Sequence, residues 1–236
     1  MHHVVVERWS RGHGPLHALD ARAKIGALLA FLIAVSTTPA SAQIAFAAYA
    51  ALTLAAMGGS RLPLGGLLKR AALVLPFSAT FALITWWSGQ PLRALVLAEK
   101  SFLSGLAALL LIATTPFTSV LAAFESAGAP RVLILVVQFL YRYLFVISEQ
   151  AQHMRLAARS RRGAGSARRI QFSAAAGALG VLFTRSWERA DGIYQAMLAR
   201  GFSGRFATAV RPHFHAADIL FFAAVLAACV GIRLAA

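Results

Sequence analysis

Seven apolar runs punctuate this chain, at residues 25–38, 44–57, 71–87, 102–115, 132–147, 172–183 and 216–234. They constrain the fold more than any other feature. A run of that kind either lies in a protein core or faces lipid. Only 13% of the 236 residues are charged, whereas a soluble domain carries about a quarter. The shortage of charge places the chain in a bilayer, as an all-α integral membrane protein. Several runs are shorter than the roughly 20 residues of a perpendicular span, so flanking small residues, tilt or local thinning must help them across. The opening residues MHHVVVERWSRGHGPLH contain no apolar stretch ending in a small-residue cleavage site, so no cleavable leader is expected. Cys229 is a single thiol and excludes an internal disulfide.

Charge then orients the runs. Lys and Arg number 23 against eight acidic residues, a formal net charge of +15. In a soluble protein this excess would suggest nucleic acid. Here no aromatic-interleaved basic groove or zinc spacing accompanies it, and the topological bias toward cytoplasmic basic residues accounts for it. Arg22 and Lys24 precede the first run, which puts the N-terminus inside. The uncharged loop 36–43 reads as external, and Arg61, Lys69 and Arg70 mark an internal loop. Arg93 and Lys100, with Glu99, fall in a nominally external connection and are the one blemish.

If run 132–147 crossed the membrane, six arginines between 155 and 169 would lie outside. Arg142 would also sit in mid-span, where insertion scales charge about 2.5 to 3.5 kcal/mol. The expectation is therefore five transmembrane helices rather than seven. The organisation predicted is a cytoplasmic segment 1–24, transmembrane helices 1–4 in 25–115, cytoplasmic helices in 116–205, and a final span in 206–236.

The cytoplasmic block has legible ends. Thr115 and Pro116 read as N-cap and first-turn proline of a short helix closed by Gly128, and Pro130 opens the next. That helix carries Leu133, Val137, Leu140, Leu144, Ile147, Ala151, Met154 and Ala158 at alternating steps of four and three, and ends in Ala158-Arg159-Ser160. A third helix carries Phe183, Trp187, Ala190, Tyr194 and Met197 and ends in Ala199-Arg200-Gly201. Arginine near a helix C-terminus and a closing glycine are an ordinary cap. Two matched Ala-Arg-small ends in one block instead suggest a docking surface. Alanine and glycine admit a partner backbone, and the guanidinium offers a rigid donor fork.

Three stretches resemble the transmembrane T component of energy-coupling factor transporters, the CbiQ-type subunit of the cobalt group. They are PLHALDARAK (15–24), QFLYRYLFVISEQAQHMRLAARSRRG (138–163) and RSWERADGIYQAMLARGFSG (185–204). Ala21 stands where the pre-membrane motif of the family carries proline. The resemblance implies two long crossing helices whose arginine tips dock into two ABC ATPase subunits. It also implies a separate substrate-binding membrane subunit and allows a small accessory one. By position, Ala158, Arg159 and Ser160 form one coupling motif and Ala199, Arg200 and Gly201 the other. Arg162 and Gly163 leave the register of the first open. Glu149, Met154, Glu188 and Met197 support the coupling helices, and His17, Asp20, Arg22 and Lys24 belong to the pre-membrane motif. The function implied is coupling of ATP-driven motion to cobalt uptake for cobalamin biosynthesis at the cell inner membrane, with nickel or a vitamin such as biotin as alternative cargo.

Other chemistry finds little support. His2, His3, His13, His17, His213 and His215 lie in two interfacial groups without cysteine or carboxylate partners at ligand spacing, so no metal site and no cofactor are expected. P-loop, Gly-x-Ser-x-Gly and His-Glu-x-x-His patterns are absent. ATP hydrolysis thus falls to other chains. A lipid-modifying membrane enzyme would need clustered carboxylates or a nucleophile at the interface. A channel or carrier would need intramembrane charge, and none of the eight carboxylates falls in the middle of an expected span.

Overall fold

The computed structural model describes residues 9–10, 12, 14–60, 62, 64–161, 168–204 and 214–235. All regular structure among them is helical: α1 (Ala21–Thr37), α2 (Gln43–Ser60), α3 (Leu64–Ala71), a 3₁₀ turn (Ala72–Val74), α4 (Leu75–Trp87), α5 (Pro91–Thr114), α6 (Phe117–Ser126), α7 (Arg131–Ser160), α8 (Arg168–Ala199) and α9 (Ala216–Leu234). They form two compact units. Unit 1 comprises Met1–Gly128 with Pro212–Ala236, and unit 2 is Ala129–Arg211.

In unit 1, α1 buries Lys24, Ala27, Phe31, Ala34 and Val35, and α2 buries Phe46, Tyr49, Thr53, Met57 and Ser60, each on a three-four spacing. Phe31 meets Tyr49 edge to face at 5.7 Å, a favoured aromatic geometry. The Tyr49 hydroxyl lies 3.3 Å from that of Thr38, so the core closes on a satisfied polar pair. Val96 and Leu103 of α5 and Cys229 of α9 complete this cluster. A second cluster joins Met57, Leu67, Ala71, Leu106 and Ala113. Small residues let helices approach closely: a Cβ on Gly26 of α1 would stand 3.0 Å from the Phe222 ring of α9.

The outer surface is the greasier one. In α4 the buried residue is Ser78, while Phe77, Leu83, Ile84 and Trp87 face outward, Trp87 at 92% exposure. Water would penalise such a surface, and a bilayer would not.

Among the described residues, four helices are long and apolar enough to cross a membrane: Gln43–Ser60, Pro91–Thr114, Arg131–Ser160 and Ala216–Leu234. The pair Gly65–Ala71 and Leu75–Trp87, bent by 48°, makes a fifth if it is one span. Pro76 lies just past the bend. Proline lacks the N–H that a continuous ladder would need. At 17 residues, α1 is shorter than these. Length and composition take no account of flanking charge, which is the ground for expecting 132–147 outside the bilayer.

Three local expectations need correction. The fourth apolar run starts earlier than predicted, because Pro91 opens α5 at a position where its missing donor is harmless. Arg93, Glu99 and Lys100 therefore lie within a candidate span instead of a connection. Arg93 donates to Gln90 Oε1 at 2.8 Å, and Lys100 Nζ donates to the carbonyls of Ser36 and Thr38 at 2.9 and 2.8 Å. The lysine that looked like a topological blemish caps the C-terminus of α1, where cations are favoured. Finally, Thr115 is not the N-cap of α6. That position is Pro116, without a side-chain cap. Thr115, extended as residues before proline tend to be, turns its hydroxyl to Lys24 instead.

Candidate functional site: two arginine-tipped helix ends and a polar cluster

Unit 2 contains both expected arginine tips, and their geometries differ. At the end of α8, the N–H of Gly201 donates to the Leu198 carbonyl at 2.9 Å, and the N–H of Phe202 donates to the Met197 carbonyl at 3.0 Å. Gly201 has φ +76°. This is a complete Schellman closure, with Arg200 as the C-cap residue. Among the described residues, no atom beyond the glycine's chain neighbours lies within 4 Å of where a Gly201 Cβ would stand. The glycine is thus required by backbone conformation alone, and its outer face is open.

The first tip lies inside the last turn of α7. Arg159 is helical, the Ser160 hydroxyl donates to the Ala157 carbonyl at 3.0 Å, and Arg161 is the C-cap in a right-handed conformation. Ala158, Arg159 and Ser160 are all exposed. Residues 162–167, which include the alternative arginine and glycine, fall outside the described residues.

The seam of the pair coincides with the expected one at Leu140, Ile147, Ala190 and Met197 and departs from it at Phe183, Trp187 and Tyr194. The groove between α7 and α8, about 330 Å³, is lined by Leu140, Tyr143 and Ile147 on one side and Ser186, Ile193 and Met197 on the other. Phe183, Trp187 and Tyr194 remain exposed, at 70%, 69% and 50%. Large apolar residues cover a wide arc of α8, and a 3.6-residue period alone does not choose which edge of that arc a crossing helix covers. Met197 does line the groove, Met154 is half-buried and Glu188 is exposed. Glu149 lies 3.8 Å from His153 Nε2 on its own helix, in an exposed pair. Such a pair is worth little.

A second assembly in unit 1 uses the pre-membrane motif. Asp20 caps α1 by accepting from the Arg22 N–H at 2.8 Å, and its own N–H donates to Asp218 Oδ1 at 2.7 Å. Asp218 Oδ2 accepts from the His215 N–H at 2.8 Å, the reciprocal bond of a capping box that opens α9. Lys24 Nζ donates to the Thr114 carbonyl at 3.1 Å and to Thr115 Oγ1 at 3.3 Å. Lys24 is 6% exposed and Asp218 2%. Both Asp20 and Asp218 lie close enough to act on the lysine's charge. Three helix ends thus meet at one buried polar cluster. Arg22 is exposed. His17 donates through Nε2 to the Trp9 carbonyl at 3.1 Å, and the Arg70 guanidinium stacks over the Trp9 ring at 4.3 Å.

Asp218, Thr114 and Thr115 were not among the expected site residues. An acidic residue in the first turn of the last apolar run, where it can reach back to the N-cap backbone, was the local signal for Asp218. Nothing local to Thr114 or Thr115 marks them as acceptors for a lysine some ninety positions earlier. Among the described histidines, His17 bonds a backbone carbonyl through its ring and His215 is the N-cap of α9. His2, His3, His13 and His213 lie outside the described residues.

The family model for CbiQ, described as a cobalt transport protein, matches residues 12–211. The chain belongs to the CbiQ family. Two relatives come from Methanocaldococcus jannaschii, both named as uncharacterized proteins. MJ1571 is 25% identical over 240 residues, covering 92% of this chain and 82% of that protein. MJ1089 is 32% identical over 105 residues, covering 44% of this chain and only 38% of its own length. As a CbiQ family member this chain is a multi-pass membrane component of a cobalt-type transporter. The family match takes in both arginine tips and the motif at 15–24.

Proposed function

We propose that this CbiQ family member is the T component of an energy-coupling factor importer. It transmits the motion of two ABC ATPase subunits to a separate membrane subunit that binds the substrate. The observation that carries the reading is the Schellman-closed end of α8, which presents Ala199, Arg200 and Gly201 in the open. A helix end serving only as a cap needs the glycine but neither the alanine nor the arginine before it. A tip that enters a groove on a partner uses all three: small residues for approach, and the guanidinium for a carboxylate or carbonyl pair. Arg159 on α7 gives the second ATPase its contact.

In this reading the N-terminus and unit 2 face the cytoplasm, at the cell inner membrane. Unit 1 provides the spans. The partner ATPases hydrolyse the nucleotide, and cobalt is the cargo that the family points to, before nickel or a vitamin. Two conformations of the ATPase pair must contact the tips differently if they are to bias two arrangements of the helix pair.

The test is the double variant Arg159→Glu, Arg200→Glu in a transport-competent cell. The chain should still accumulate in the membrane, while its ATPases no longer co-purify and ATP-driven cobalt uptake is lost. Truncating one partner of a buried charged contact costs roughly 2 to 5 kcal/mol, and reversing the charge at both tips costs more. Uptake at the normal rate in the double variant would remove the proposal.

A further inference from the structure

We infer that the buried cluster of Asp20, Lys24 and Asp218 is the mechanical root of unit 2, the place where movement of that unit is handed to the first helix of unit 1. The inference rests on the coupling reading above. Its basis is where the chain connections leave. Unit 2, Ala129–Arg211, joins unit 1 at both of its ends. On one side unit 1 ends with α6, which Thr115 and Pro116 join to the end of α5, and unit 2 begins at Ala129. On the other the chain enters α9 at His215.

The same short segment of chain holds the root of α6, the last helix before unit 2, and the head of α9, the first helix after it. Lys24, in the first turn of α1, grips Thr114 and Thr115 at 3.1 and 3.3 Å. The N–H of Asp20, the cap of α1, grips Asp218 at 2.7 Å, and Asp218 in turn holds the His215 N–H at 2.8 Å. Displacement of either connection therefore reaches α1 through charge-assisted hydrogen bonds, which are directional, in addition to apolar contacts, which can slide.

The chemistry of the cluster fits that role better than it fits stability. Thr114 and Thr115, which hold Lys24, are buried, and so are Lys24 and Asp218 themselves. Burying such charges is costly, and well-packed apolar residues of similar volume often serve stability as well or better. What buried charges add is register, since a small shift leaves them unpaired. Lys24 also meets the C-terminal end of α5 and Asp218 the N-terminal end of α9, each the sign that its helix end favours. Lys24 and Asp218 act here as positioning residues, through the helix ends that they hold.

The test uses the whole complex, with both ATPases and the substrate subunit, in proteoliposomes or native membranes. Lys24→Met removes both bonds to Thr114 and Thr115 and keeps the length of the side chain. Three quantities are read: co-purification of the ATPases, ATP hydrolysis, and cobalt uptake. The expected result is that assembly and hydrolysis persist while uptake per ATP falls about tenfold, within the 5- to 150-fold range of typical coupling free energies. Lys24→Arg should recover part of the loss. If Lys24→Met does not accumulate, Asp218→Asn is read by the same criteria. An unchanged ratio of uptake to hydrolysis overturns the inference, and so does loss of uptake that merely tracks loss of assembly. Failure of the coupling reading itself has a different signature, because the unmodified chain would then retain no ATPases.

Discussion

Replacing Gly201 tests the second tip at a single backbone position. Gly201 sits at φ +76° with nothing described beyond its chain neighbours within 4 Å of a notional Cβ. No neighbour among the described residues can clash with a side chain there, so the cost is conformational. An L-residue held in the left-handed region costs roughly 1 to 2 kcal/mol, which is about 5- to 30-fold in the population of the closed end at 0.59 kcal/mol per RT. Asparagine tolerates that region better than alanine, and a β-branched residue tolerates it worst. The order expected is Gly, then Asn, then Ala, then Val. Amide hydrogen exchange at residues 201 and 202, whose N–H groups close the end, should accelerate in that order, by up to the same factor. If the closed end is what the ATPase holds, apparent affinity declines in the same sequence, since only the competent fraction binds. Alanine and valine matching glycine in both assays would refute the reasoning. Faster exchange with unchanged affinity would show that the closed end is not the bound form.

Two further outcomes are expected. Gly26→Val should crowd the Phe222 ring, which stands only 3.0 Å from where a Cβ on Gly26 would lie, and lower stability by about 1 to 3 kcal/mol. The double variant with Phe222→Ala should lose less than the sum of the two single changes, read as thermal unfolding in detergent. Cysteines placed singly at Ser41 and Ser203 in a Cys229→Ala background should label oppositely with a membrane-impermeant maleimide on intact cells. Ser41 should react from outside, and Ser203 only after permeabilisation.

Much of the architecture is local information, and for that reason it was legible. The length and apolarity of each run set a helical membrane protein, since a backbone in lipid must satisfy its own hydrogen bonds. Gly128 and Gly201, placed after apolar periodic stretches, announce helix ends, and both adopt positive φ, +96° and +76°. The arginine tips were visible as a recurrence of Ala-Arg-small.

Tertiary structure decided what the helices do to one another. Which edge of α8 faces α7 depends on the crossing, so Ile193 lines the groove while Phe183 and Trp187, just as apolar, stay outside. The inequality of the two tips came with the backbone: Arg200 precedes a left-handed glycine, and Arg159 lies within a helical turn. Lys100 looked misplaced by charge alone, and only the neighbouring end of α1 explains it. Composition and period are properties of one segment at a time. A lysine that finds a carbonyl ninety residues away, as Lys24 finds Thr114, obeys a constraint that exists only once the helices are packed.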